Sequence, residues 1–271
     1  MTRNFEFPGR SAVRSMNGMA STSHPLSTST ALQVLMQGGN AIDAAVAASA
    51  VQSVVEPQST GIGGDGFALI SMGGSDDIKG INASGRAPQA ASIEKMKALG
   101  LDSILRQSPH SVTIPGAVDG WDRMLKAHGS WDLGRCLEPA IGYALNGYPV
   151  HDRVNRDWRT QVDMLMGDDY ARSNLLVAEE APHTGTVMKH IELGRTLETI
   201  ANKGAEAFYQ GPLAEAMVGF LADKGGLHTM EDFSACEADW VQLISTTYND
   251  HRIWQIPPNG QGMVALLMLN I

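Results

Sequence analysis

The sequence predicts an α+β fold. Three observations carry this: two helical stretches over residues 25–56 run directly into a strand hairpin, a mainly helical section follows from Ala91 to Met230, and strand patterns return between Val241 and Ile256. Alternating βαβ units do not occur, which favours layers of segregated helices and strands over a doubly wound parallel sheet. Internal repeats and low-complexity segments are absent from the sequence.

Each element has a local cause. In the first helix Leu26, Leu32, Leu35 and Met36 fall roughly on one face, and Gly38-Gly39 supplies a stop. Asn40 then caps a second helix reaching about Val55, in which Ala41, Ala44, Ala45, Ala48 and Ala50 permit close approach of a neighbour. Glu56-Pro57 ends it, because proline disfavours helix in the residue before it. A strand over 67–72, a turn at 73–77 and a strand near Ile78–Ala83 make a hairpin. Helices are expected over 116–129, 133–146, 193–202 and 213–223, several of them closing on glycine. The polar stretch 151–190 reads as a surface helix and loop. Val241–Tyr248 and His251–Ile256 alternate as strands, with Asn249-Asp250 placed as a two-residue hairpin turn.

Composition narrows the function classes. With 43% hydrophobic and 18% charged residues, the 271-residue chain has a globular composition. A net charge of −9 leaves no basic stripe to neutralise a phosphate backbone, so nucleic acid is not an expected partner. The apolar stretch Ala41–Val55 is too short for a bilayer and carries Asp43 and Gln52, so no membrane contact is expected either. The start, Met1-Thr-Arg-Asn-Phe-Glu-Phe-Pro8, lacks the apolar centre of a secretory signal and reads as cytoplasmic. Cys136 and Cys236 are too few for a disulfide framework and read as buried thiols. At the other end, the apolar helical run Met263–Ile271 stops without a polar last turn, which leads us to expect a truncated chain lacking the surface this helix packs against.

Single motifs carry little chemistry. Gly61-Ile-Gly-Gly-Asp-Gly66 resembles an anion cradle, yet it follows a helix and opens a strand, the reverse of a dinucleotide fingerprint, so a structural turn is the better reading. Eight scattered histidines show no metal-ligand spacing. Asp119 and Asp122 could pair for acid–base work or simply form a solvated helix face, and Ser59, Ser84 and Thr113 lie outside any Gly-x-Ser-x-Gly elbow.

Several segments together are more specific. Ser23-His-Pro-Leu-Ser27, Leu35-Met-Gln-Gly-Gly-Asn-Ala-Ile-Asp-Ala-Ala-Val-Ala-Ala48, Val55-Glu-Pro-Gln-Ser-Thr-Gly-Ile-Gly-Gly64, Gly116-Ala-Val-Asp-Gly-Trp121, Glu138-Pro-Ala-Ile141, Ala207-Phe-Tyr-Gln-Gly211, Gly225-Gly-Leu-His-Thr-Met-Glu-Asp-Phe233 and Pro257-Pro-Asn-Gly-Gln-Gly262 occur in this order. In these the chain resembles the amino-terminal part of the γ-glutamyltransferase family, from about residue 18 to the end. The resemblance implies part of an αββα N-terminal-nucleophile hydrolase sandwich, with residues 1–271 as one partial, large-subunit domain. It also implies a precursor that cuts itself to expose a threonine, whose hydroxyl attacks an amide and whose α-amino group is the base, with no metal or organic cofactor. The implied partners are a small-molecule amide and the missing carboxy-terminal subunit segment.

Two departures from the family pattern bear on function. The family's nucleophile lies beyond the equivalent of Ile271, so no catalytic residue is assigned in this chain; Thr246-Thr247-Tyr248 resembles that segment only superficially, in surroundings that match a strand pair. The family's carboxylate-binding arginine stands four residues before the proline of an Arg-x-x-Ala-Pro motif, and here that position is Ser84. Arg86, in Gly85-Arg86-Ala87-Pro88, gives a variant resembling the oxamate amidohydrolase and acylase-like branch. Ser84 and Arg86 are therefore the expected substrate-binding residues, Arg86 either binding a carboxylate or serving in a surface salt bridge. A non-catalytic homologue that kept the fold is the rival reading.

Overall fold

The computed structural model describes residues 11–271, so Met1–Pro8, on which the reading of the leader rests, lies outside them. In chain order the elements are α1 (Pro25–Met36), α2 (Ala41–Val55), β1 (Gly66–Ser71), β2 (Ile78–Ala83), α3 (Ile93–Ala98), α4 (Ala117–His128), α5 (Leu133–Asn146), β3 (Tyr148–Pro149), α6 (Asp152–Arg159), α7 (Val162–Leu165), α8 (Asp169–Leu175), β4 (Val187–Met188), α9 (Ile191–Lys203), α10 (Glu206–Tyr209), α11 (Pro212–Asp223), α12 (Met230–Ser234), β5 (Asp239–Val241), β6 (Ile244–Tyr248), β7 (His251–Gln255) and α13 (Gly262–Leu269). They form two compact units, one comprising residues up to Gly61 with His128–Asn202, the other Ile62–Ala127 with Lys203–Ile271. Among the described residues, no helix is long and apolar enough to cross a membrane.

The first unit is helical and built around α2. Val46, Ala47, Val51, Val54 and Val55 of α2 are buried, and α2 packs against both α1 and α5, where Cys136, Leu137, Ala140 and Ala144 are fully buried. The α1 face differs from the sequence expectation: Leu32 and Met36 are exposed, and Ser27, Thr30, Ala31 and Val34 are buried instead. The alanines of α2 bring the two helices so close that the Ser27 hydroxyl reaches the Ala48 carbonyl at 2.7 Å. Only small residues fit such a seam. The stretch 151–190 is also more ordered than expected: it folds into three short helices and β4, which pairs with β3 just before the stretch, and α6 buries Val154 and Trp158.

The starts of α1 and α2 are specified by side chains. Asn40 and Asp43 form a capping box on α2. At α1, buried His24 accepts the Leu26 N–H on Nδ1 at 3.1 Å. Burial, and then the nearby charge of His151, push the His24 pKa down to about 4. Because the folded state favours the neutral ring, the stability this group contributes is present above the ordinary histidine pKa of about 6.5 and is lost as pH falls towards 4. Melting temperature is therefore expected to drop across that window, and His24→Asn, which keeps a cap acceptor, should flatten the drop. A His24 ring titrating near 6.5 by proton NMR would refute this.

The second unit holds a three-stranded antiparallel sheet in the order β1-β2-β5, and β6–β7 form a separate hairpin. Ile81, Ala83 and Ala238 make a core with Ala68 and Met124 against it. The strand expected over 241–248 is broken: Asp239–Val241 pairs with β2, whereas Ile244–Tyr248 pairs with β7. Asn249 and Asp250 both have positive φ, as the type I′ turn of a right-twisted hairpin requires. Thr246 and Thr247 lie in β6, and the Thr246 hydroxyl donates to Asn270. Residues 262–269 form α13, which packs on β6 and β7.

Candidate functional site

The exit of β2 is where chemistry-bearing side chains converge. Gly85 has φ of +70°, and a Cβ there would overlap the Ile114 carbonyl oxygen. A Cβ on Gly116 would likewise overlap the Ala83 carbonyl. With Ile114 N–H donating to the Arg86 carbonyl at 2.9 Å, the two glycines clamp residues 83–86 onto 114–116, backbone on backbone. The glycine-rich loop serves the same corner, since the Gly64 carbonyl accepts the N–H groups of Gly116 and Ala117 at 3.0 Å. These amides at the start of α4 are thereby occupied, and the Gly64 carbonyl fastens the loop to the start of that helix.

This corner lines a cavity of about 500 Å³ walled by Asn82, Ser84, Arg86, Gln89, Asp239 and Asn259, among others. Ser84 is buried, and its Oγ accepts from Asn259 Nδ2 at 2.8 Å. Asn82 completes the triangle by donating through Nδ2 to Asn259 Oδ1 at 3.0 Å and accepting the Ser84 N–H on Oδ1. Every amide orientation in this network is consistent with its partners, and the Ser84 hydroxyl itself points its proton at the Gly85 carbonyl over a long 3.5 Å, a weak contact that an acyl oxygen could replace. Arg86 is 77% exposed and its Nη2 lies 3.2 Å from Asp239 Oδ2.

Other groups on the wall are structural. Burial raises the Asp232 carboxyl, but hydrogen bonds from the Gln89 N–H and from the Thr229 hydroxyl and N–H outweigh it and hold the group below the usual carboxylate range. Cys236 donates to the Pro115 carbonyl, and burial followed by the charge of Asp119 pushes its thiol up to about 11. It is protonated at neutral pH and is not an activated nucleophile. Cys136 is fully buried, and both thiols are free.

The remaining sequence candidates lie outside this cavity. Asp119 accepts from Arg123 Nε at 2.8 Å and from the Ala238 N–H at 2.6 Å, and Asp122 pairs with Lys126 at 2.6 Å, so each is committed to a structural partner. Ser59 lines a separate cavity of about 820 Å³ in the helical unit, where Glu56 accepts from Ser23 and Gln52. Sequence reasoning missed three cavity residues. Asn259 stood in the quoted Pro257-Pro-Asn-Gly-Gln-Gly262 motif but was read only as a turn; Asn82 and Asp239 carry no local signal, since only the β2–β5 register, which pairs Asn82 with Asp239, brings them together.

Comparisons with known proteins agree with this picture. The family described as gamma-glutamyltranspeptidase matches residues 27–271. The glutathione hydrolase-like YwrD proenzyme of Bacillus subtilis is 38% identical over 254 residues, covering 93% of this chain and 48% of that protein. The oxamate amidohydrolase proenzyme of Klebsiella pneumoniae is 36% identical over 265 residues, covering 95% and 49%. The chain thus spans about half the length of the curated relatives it matches. Among solved structures, a cephalosporin acylase from Bacillus halodurans superposes with a TM-score of 0.91 at 39% identity, covering 99% of this chain and 51% of that one. The Helicobacter pylori gamma-glutamyltranspeptidase superposes with a TM-score of 0.85 at 28% identity, covering 93% and 73%. With the α+β architecture and the ordered motifs in agreement, this chain belongs to the gamma-glutamyltranspeptidase family.

Proposed function

We propose that this chain is the amino-terminal portion of a self-processing amidohydrolase or acyltransferase, and that Ser84 and Arg86 contact the acyl group of its amide substrate. The observation that carries the reading is the cavity at the β2 exit, where a held hydroxyl and a guanidinium stand together at the position of the family's substrate-binding motif. The relatives' names, which include proenzymes acting on glutathione and on oxamate, support the same class of reaction. The nucleophile in this reading is a threonine supplied by a carboxy-terminal subunit segment. Its hydroxyl adds to the amide carbonyl and the amine leaves with a proton delivered through the α-amino group; the acyl-enzyme then passes to water or to an acceptor amine.

Ser84 argues against strict γ-glutamyl specificity, because a hydroxyl cannot supply the charge that an arginine gives a substrate carboxylate, and oxamate, which carries a carboxylate of its own, is a substrate only if Arg86 takes that role. The test is expression of the complete reading frame. Intact mass should reveal two subunits, and amide turnover should be measured with a γ-glutamyl anilide and with oxamate, before and after Arg86→Ala. An uncleaved but active chain would overturn self-processing. Good γ-glutamyl turnover unaffected by Arg86→Ala would overturn the site assignment, and a processed protein inert towards all amides would favour a binding protein that kept the fold.

A further inference from the structure

We propose that Asp239 is a specificity-determining residue: it occupies Arg86 as an internal carboxylate and so turns the cavity against acyl groups that carry a carboxylate of their own. The inference rests on the proposed acyl site at the β2 exit and names the substrate class that site selects, an uncharged amide.

The geometry is set by the sheet. β5 pairs with β2 so that Asp239 lies directly across from Asn82, on the strand whose end delivers Ser84 and Arg86. From there Asp239 Oδ2 meets Arg86 Nη2 at 3.2 Å, and both side chains line the same cavity. A planar guanidinium is at its best with one carboxylate bound through two donors. Here one donor, Nη2, already meets a carboxylate from within the protein, so an incoming carboxylate must displace Asp239 or share the arginine with it. The rest of the wall offers no replacement cation. Asp232 is held by Gln89 and Thr229, and Glu237 is paired with Arg123 at 2.6 Å, so among the cavity residues the charged groups are one guanidinium and three carboxylates. A substrate carboxylate entering this wall meets a like-charged field. A neutral carboxamide meets a hydroxyl and two side-chain amides of suitable polarity in Ser84, Asn82 and Asn259.

The arginine still has a use in this arrangement. Paired with Asp239 it keeps further N–H donors that can bind a neutral carbonyl oxygen, for which full charge is not required. The pair is exposed enough to be screened by salt, so the discrimination should shrink as ionic strength rises.

The experiment uses two substrate pairs that differ by one charge: oxamate against oxamide, and a γ-glutamyl anilide against the same anilide with its α-carboxylate converted to a carboxamide. Both are assayed with the full-length, processed protein. The wild type should favour the neutral member of each pair in kcat/KM. Asp239→Asn should shift the ratio towards the carboxylate by about five- to ten-fold, the scale of one partly exposed charge-assisted pair. Arg86→Ala in the Asp239→Asn background should cancel the gain. A second readout is independent of turnover: modification of Arg86 by phenylglyoxal, followed by mass spectrometry, should be slowed by oxamate in Asp239→Asn and not in the wild type. The proposal is overturned if the wild type favours the carboxylate, or if Asp239→Asn leaves the ratio and the protection unchanged while Arg86→Ala alters KM, an outcome that leaves the site itself standing. If Ser84→Ala, Arg86→Ala and Asp239→Asn all leave KM unchanged for all four substrates, the acyl-site reading fails and this inference with it.

Discussion

Replacing Asp43 with alanine is expected to destabilise the helical unit by about 3–5 kcal/mol, the cost of breaking a buried charged network. Asp43 is fully buried on α2. Its carboxylate accepts the Asn40 N–H at 2.7 Å, the Ser130 N–H at 2.9 Å, the Ser130 hydroxyl at 2.5 Å and the Trp131 N–H at 3.1 Å. The residue therefore closes the capping box of its own helix and also pins the Ser130-Trp131 turn that leads into α5. Alanine would leave three backbone N–H groups without their acceptor. Burial alone would raise the Asp43 pKa, but the Ser130 hydroxyl and the N–H groups of Asn40, Trp131 and Ser130 outweigh it and hold the group below its ordinary value. A carboxyl depressed in the folded state stabilises above its unfolded pKa, about 3.9, and loses that contribution as pH falls through the folded value. The gap between wild type and Asp43→Ala, measured by urea unfolding of the full-length protein, should hence be full at neutral pH and narrow below about pH 4. A gap under about 1 kcal/mol at pH 7 would show that the network is not holding the turn.

Gly85→Ala is expected to cost about 2–5 kcal/mol in the second unit and to impair substrate binding at the same time. Two penalties combine. The left-handed φ of +70° is strained for alanine, and the new methyl would run into the Ile114 carbonyl oxygen, a backbone atom that cannot swing aside. Relief requires the loop after β2 to lift from residues 114–116, carrying Ser84 away from Asn259. The informative control is Gly142→Ala within α5, where a Cβ meets nothing within 4 Å and helix propensity favours alanine by up to about 1 kcal/mol. Melting temperature should fall for the first substitution and hold or rise for the second, with KM raised only by the first. An unchanged melting temperature and KM in Gly85→Ala would show that the clamp does not position the site.

Much of the fold was legible because its causes are local. The Asn40 cap, the Gly38-Gly39 stop, the β1–β2 hairpin and the Asn249-Asp250 turn each depend on residues within a few positions of one another, and each stands where the sequence places it. The face of α1 was not legible. Hydrophobic spacing selected Leu32 and Met36, whereas the width of the seam with α2, a property of two helices, selected Ser27, Ala31 and Val34. The strand break between Val241 and Ile244 escaped for a related reason: both halves alternate, and only their different partners, β2 and β7, separate them.

The site divides along the same line. By itself the sequence determined the family and the two positions, Ser84 and Arg86, at which to look, because ordered motifs preserve spacing along the chain. It also placed Asn259 in a motif without revealing its purpose. What only the tertiary structure decided is which charges and hydrogen bonds those positions are given. Asn82, Asn259 and Ser84 hold one another, and Asp239 reaches Arg86, through a strand register and a backbone clamp joining segments 153 and 175 residues apart. Such pairings obey cross-strand geometry rather than sequence distance, so a linear pattern carries no trace of them.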